Sequence, residues 1–269
     1  MPPRLISCAI ILFWLGMTAW LIQREVVPMM LADSSPTLQL DLTEQLGSPL
    51  VGWKVLRNGE RIGSGTSRVV ANDDGSFEFR SQFHYERLAI GPARIKSLES
   101  FYKVSDEGKL QAILARGTVA VLGGAPIEIG VDGVVENGML EPRMFGFMEQ
   151  KLEKVKVERD GSIVNPMHLV NRVRGLREGR TWRIVMLDPL GSAKLPGAKA
   201  GQTMQSLIAE VKTGDLTWDK KKIACFVIEY AEPGKEPVAR TWVRRSDGLV
   251  LQQEASHMGI DLVLERVRN

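Results

Sequence analysis

"SFEFRSQFHYER", residues 76–87, alternates without a break. Phe77, Phe79, Ser81, Phe83 and Tyr85 fall on one side of an extended chain, and Glu78, Arg80, Gln82, His84 and Glu86 on the other. A helix would scatter these aromatic residues around its axis, whereas a strand lines them up. One face of the resulting sheet is apolar and the other meets water, the form that antiparallel sheets commonly take. What covers four aromatic side chains on a single strand then decides the architecture.

The flanking sequence carries the same texture and dense turn signals. Asn58-Gly59, Asp74-Gly75, Asp132-Gly133, Asn137-Gly138, Asp160-Gly161 and Asp247-Gly248 are pairs that accept positive φ in tight hairpin turns, and Glu107-Gly108 adds another. Between them lie period-two or continuous β-branched and aromatic runs, which predicts a meandering antiparallel sheet. "WRIVMLD" (182–188) and "IACFVIEY" (223–230) are apolar on both faces and read as strands covered on both sides. In the strand 238–245, Val238, Arg240, Trp242 and Arg244 share one face and Ala239, Thr241, Val243 and Arg245 the other. "GSGTS" (63–67) sits inside a strand and reads as a bulge or a place of close packing.

Two stretches have helical spacing. "NPMHLVNRVRGLREG" (165–179) offers Asn165 as cap, Pro166 at the first position and Gly175 as stop. "RMFGFMEQKLEKVKV" (143–157) places Met144, Phe147, Met148 and Leu152 on one stripe, with Val155 and Val157 turning toward strand character at its end. "LDPLGSAKLPGAKAGQ" (187–202) is rich in Pro and Gly and reads as a long surface loop.

At the N-terminus, Leu5 to Ile22 contains no charged residue. As a helix it reaches roughly 27 Å, near the hydrocarbon thickness of a bilayer and longer than the apolar core of a cleaved signal peptide. The expectation is an uncleaved signal anchor in the cytoplasmic membrane with the globular part outside, in the periplasm. Were the leader cleaved instead, the product would be secreted there. Residues 1–24 form this segment, 25–48 a connector with a short helix capped by Ser35 and opened by Pro36, and 49–269 a single β-rich domain. The fold class expected is mainly β: a large curved antiparallel sheet, a half-barrel, with one or two short helices and a preceding transmembrane helix.

Catalytic and metal chemistry is not legible. The three histidines, His84, His168 and His257, stand at no metal-ligand spacing, there is no CxxC, and the two cysteines, Cys8 and Cys225, do not suggest an internal disulfide. "GAKAGQT" (197–203) lacks the lysine ending of a phosphate loop, and no GxSxG elbow occurs. The expectation is therefore a non-enzyme with no catalytic residues, metal or cofactor; the minority reading is a hydrolase acting on envelope polymers, which would need a cleft with clustered carboxylates. The net charge of +3 is too small for a dedicated nucleic-acid binder. Arg172, Arg174, Arg177, Arg180, Arg183 and Lys220 to Lys222 read as solvated edges and loops.

"LRNGERIGSGTSRV" (56–69) and the closing series "VARTWVRRSDGLVLQQEASHMGIDLVLERV" (238–267) resemble the opening hairpin and closing strands of the bacterial envelope lipoprotein-carrier superfamily, the LolA/LolB-like half-barrels and their periplasmic relatives. The resemblance covers residues 49–103 and 180–267 and implies a half-barrel whose concave face takes a lipid or acyl chain. The candidate ligand-binding residues are Phe77, Phe79, Phe83, Tyr85, Trp182 and Trp242. The alternative is a non-catalytic scaffold or accessory subunit that packs the same sheet against an envelope protein partner.

Overall fold

The computed structural model describes residues 4–23, 27, 50–121, 124–146, 149–157, 169–187, 204–257 and 260–268. Arg4–Leu21 is the helix α1. The first meander comprises β1 (Val51–Arg57), β2 (Glu60–Ala71), β3 (Phe77–Ile90), β4 (Ala93–Val104), β5 (Leu110–Val121), β6 (Ile127–Glu136), β7 (Met139–Phe145), β8 (Gln150–Lys151) and β9 (Val155–Lys156). The second comprises β10 (Thr181–Leu187), β11 (Met204–Trp218), β12 (Lys221–Ala231), β13 (Ala239–Arg244), β14 (Val250–His257) and β15 (Ile260–Arg266). Every pairing is antiparallel, and the last strand returns to the first: β15 pairs with β1 through Val55↔Leu264 and its neighbours. The two meanders are thereby one open sheet, running from β10 through β15 and β1 to β8, with β9 pairing β7.

Five of the predicted turns are present. Asn58 and Gly59 have φ of 52° and 79°, and Asn137 and Gly138 have 51° and 75°, the two positive values a tight hairpin turn needs. Gly75 and Gly248 are likewise left-handed, as is Gly108 in the turn after Glu107. Asp132-Gly133 is not a turn. It lies within β6, where Gly133 pairs with Ile113 on one side and Pro142 on the other, and a Cβ there would meet Glu141 O at 3.1 Å. Close approach of strands, not reversal, is what that glycine serves. Asp160-Gly161 falls outside the described residues, as do the connector helix and the loop 188–203. The tip between β11 and β12 is made without glycine, by Asp219 and Lys220 at φ of 51° and 62°.

Both helices expected within the β region are corrected where they are described. Because the Asn137-Gly138 turn sends the chain back along β6, residues 139–145 complete the ladder as β7, with Met144 opposite Val131. Leu152 and Val155 then fold onto the cluster of Tyr102, Leu110, Ile113, Val131 and Leu140; Phe147 and Met148 lie outside the description. In the second stretch, Asn165, Pro166 and His168 are outside it, and residues 169–179 are not helical. Leu169, Val170, Val173 and Leu176 have helical spacing and are all buried, but backbone bonds of their segment go to the sheet and its β13–β14 turn. Val173 N–H donates to Gly248 O (2.8 Å), Val250 N–H to Asn171 O (3.1 Å) and Gly179 N–H to Val211 O (2.8 Å). An extended plug thus satisfies the same apolar pattern that a helix would.

The register sorts every strand into the same two faces. Inward point Val51, Trp53 and Val55 of β1, Phe83 and Tyr85 of β3, Trp182 and Ile184 of β10, Ile228 and Tyr230 of β12, Val243 of β13 and Leu262 and Leu264 of β15. Together with the plug they form the principal core. Outward lie cross-strand ion pairs, among them Lys54–Glu265, Arg116–Glu99, Arg143–Asp132 and Arg240–Glu229. Each contributes little alone in water, but together they keep that face polar.

α1 stands apart from this core. From Ile10 to Ile22 its apolar side chains are exposed all round, Phe13 and Trp14 by 68% and 70%. Among the described residues no helix is long and apolar enough to cross a membrane; the 18 residues of α1 rise about 27 Å, slightly less than the hydrocarbon layer.

Candidate functional site: the inner face of the sheet

Phe77, Phe79, Phe83 and Tyr85 all point inward, as the alternation requires, and Gln82, His84 and Glu86 are exposed on the other side. Phe83 is 3% exposed and its ring lies at a centroid distance of 6.2 Å from Tyr85, nearly parallel to it. Phe79 packs against both the principal core and the Tyr102 cluster, bridging the two. Trp182 is 3% exposed in the same core as Phe83 and Tyr85, with the Arg180 guanidinium 5.7 Å over its ring. The inner face therefore carries five of the six sequence candidates, of which Phe79, Phe83, Tyr85 and Trp182 meet in the principal core and Phe77 is buried at the start of β3.

Trp242 is the exception. Its register partners, Val227 and Gln252, share the outer face, and its ring lies 3.3 Å from where a Cβ on Gly214 would stand. There the β11–β12 tip folds onto the outside of the sheet. Leu216, Cys225 and Leu251 form a satellite core with Trp218, Ile223, Trp242 and Leu249, and Trp218 Nε1–H donates to Arg266 O (3.1 Å). Trp242 Nε1–H donates to Glu254 Oε1 (3.0 Å), while Arg240 pairs with Glu229 and Arg244 grips Asp247 through two bonds of 2.8 and 2.7 Å. The Arg-Trp-Arg face is a salt-bridged outer surface resting on a small second core.

Several residues of the inner face were not singled out in the sequence. A cross-strand row runs Arg266, Trp53, Gly65, Phe83, Leu98, Gly117 and Ile129, with glycines set between large side chains at two places. The Phe83 ring covers Gly65 so closely that a Cβ there would lie 2.3 Å from it, which is the close packing that "GSGTS" suggested. Trp53 Nε1–H donates to Ser67 Oγ at 2.9 Å. A polar relay also crosses the core: Gln253 Nε2–H donates to Thr241 Oγ1 (3.3 Å), whose hydroxyl faces Tyr230 OH (3.5 Å). The signals were present in part, since Val51, Trp53 and Val55 alternate, and Arg266 occupies the apolar phase after Leu262 and Leu264.

Burial pushes the Tyr230 hydroxyl up to about 12 and that of Tyr85 above the usual tyrosine range. A folded-state pKa above the unfolded value of about 10 means that the folded protein holds more protons between the two, so this stability is present below pH 10 and lost as pH rises toward 12. The melting temperature should accordingly fall above pH 10, and less steeply in Tyr230→Phe; an unchanged slope in the variant would show that Tyr230 is not desolvated.

Among the described residues no group of three His, Cys, Asp or Glu side chains is placed to hold a metal. His84 is exposed on the polar side, and burial pushes the Cys225 thiol up, which disfavours a reactive thiolate.

No family model matches the chain, and no curated protein matches it. Among solved structures it is similar to the crystal structure of a beta-barrel-like protein of the domain of unknown function DUF1849 from Brucella abortus, at 10% identity over 81% of this chain and 95% of that one, with a TM-score of 0.46.

Proposed function

We propose that this protein is a membrane-anchored envelope protein that binds a hydrophobic ligand, a lipid acyl chain, on the inner face of its curved sheet. One observation carries the reading. The principal core of the described residues is covered by a plug whose central backbone pairs with the sheet as an isolated bridge, Arg172↔Leu249, whereas neighbouring strands share ladders of up to eleven pairs. A cover held mainly by the burial of its apolar side chains can give way to a ligand that offers the same burial.

The magnitudes suggest what exchanges with it. Leu169, Val170, Val173 and Leu176 contribute about 1.5–3 kcal/mol each through burial, roughly 6–12 kcal/mol together, and an acyl chain of about twelve carbons offers a similar amount at ~0.8 kcal/mol per CH₂. A chain of that length can replace the plug without net loss; a much shorter one cannot. The resemblance of the opening and closing strands to the lipoprotein-carrier half-barrels points the same way. A scaffold would instead need a contiguous apolar patch outside. Among the described residues of the sheet and its ends the exposed large apolar residues are Leu50, Ile127, Val134 and Val267, and we prefer the ligand reading.

The anchor is proposed on the exposed apolar surface of α1, which water does not favour and lipid does. No enzymatic role is proposed. The test is photolabelling of the full chain in nanodiscs with a 16-carbon alcohol bearing a diazirine in its chain. Adducts are expected on β3, β10 and β12 inner residues and on residues 10–22. Labelling confined to α1 would refute the ligand reading, and an unlabelled α1 would refute the anchor.

A further inference from the structure

Arg266 does not belong, by ordinary packing logic, where it is. It follows Leu262 and Leu264 on the inward phase of β15, sits beside Trp53 in the cross-strand row, and is 9% exposed. Arginine is almost never buried to this degree without a carboxylate or phosphate. Its guanidinium has five N–H donors, yet among the described residues it donates only from Nη1, to Asn171 O at 3.5 Å and Val250 O at 3.4 Å. Both bonds are at the long limit, whereas a charge-assisted bond to a carboxylate is roughly 2.7–2.9 Å. Asp247, a carboxylate whose charge reaches Arg266, is held in a fork by Arg244. Burial holds the Arg266 guanidinium below its usual range; Arg172 and Arg244 push in the same direction, and Asp247 opposes them.

We infer that Arg266 is the headgroup site of the inner face and takes the carboxylate of a long-chain anionic amphiphile. The carboxylate replaces the Asn171 carbonyl as the acceptor, and the chain lies along Trp53 and Phe83, which share the principal core with the plug. The plug offers Arg266 an oxygen and offers the sheet apolar side chains; a fatty carboxylate offers both, with a full negative charge. This inference rests on the acyl-chain reading above.

The test compares a 16-carbon carboxylic acid with the alcohol of equal length, both carrying the same diazirine, on the full chain in nanodiscs of neutral phosphatidylcholine at pH 8. Inner-face labelling by the acid should reach half-saturation at a concentration at least tenfold lower than labelling by the alcohol. Arg266→Met should abolish that difference while melting at the same temperature as the unsubstituted protein or higher, because a buried charge without a strong partner is replaced by an apolar side chain. Equal labelling by acid and alcohol would overturn the headgroup site and leave the acyl-chain reading standing; absence of inner-face labelling by either would overturn both. An acid preference that survives in folded Arg266→Met would overturn the assignment of Arg266 as the headgroup site. The acid-against-alcohol comparison needs no variant, so failure of Arg266→Met to fold leaves the site testable.

Discussion

Trp53→Ala is expected to lower the stability of the β region by about 4 kcal/mol, and with it the melting temperature by roughly 10 °C. Trp53 is 1% exposed at the junction of the two meanders, flanked in register by Arg266 on β15 and Gly65 on β2. Truncation leaves a cavity the size of an indole that neither ladder can collapse to fill, and it strips Ser67 Oγ, itself buried, of its donor. Trp242→Ala supplies the control. That ring is half-buried over the outer satellite core, so its loss should cost about half as much, in line with its smaller desolvated area. Thermal melts of the full chain with either variant would check the ordering, and a Trp242 variant more damaging than the Trp53 variant would contradict the assignment of inner and outer faces.

The second large effect is at Gly63, where alanine should destabilise by about 3 kcal/mol or more. Its added Cβ would stand 2.2 Å from His84 O and 3.1 Å from Tyr85 Cα, both backbone atoms of the paired strand. No rotamer change relieves that contact; β2 and β3 must part or slip, and Tyr85 with them. Gly59→Ala offers a comparison with a different cause, for nothing lies within 4 Å and only the φ of 79° resists the substitution, at a cost of about 1 kcal/mol. Urea unfolding of the two variants separates them. Equal losses would mean that strand spacing at Gly63 is looser than described.

What could be read from the sequence divides along physical lines. Period two is a local property, so the Phe77 to Tyr85 face and the face assignment of 239–244 are both present as read. The Asn-Gly turns are local as well, because two consecutive positive φ values leave the chain few alternatives. Asp132-Gly133 has the same spelling, but its environment is a ladder on both sides, which only tertiary pairing reveals. Residues 169–176 differ from their expected helix for a related reason: spacing of i, i+1, i+4, i+7 reports which side chains are buried, and an irregular segment pinned by Gly248 and Val250 buries them as well as a helix does. Trp242 shows the limit most plainly. Its face was legible, but the side of the sheet on which that face lies depended on how the β11–β12 tip folds, and nothing in residues 238–245 encodes that fold. Arg266 was visible all along as a charge in an apolar phase, a signal that alternation alone flags.

The central claim is that the inner face exchanges its plug for an acyl chain, and amide hydrogen exchange on the full chain, with and without a saturating 16-carbon ligand, tests it most directly. The Val173 and Val250 amides, which now bond Gly248 O and Asn171 O, should lose protection when ligand is added, while the amides of β1, β2 and β15 stay slow. Unchanged protection at Val173 and Val250 with ligand demonstrably bound would contradict it.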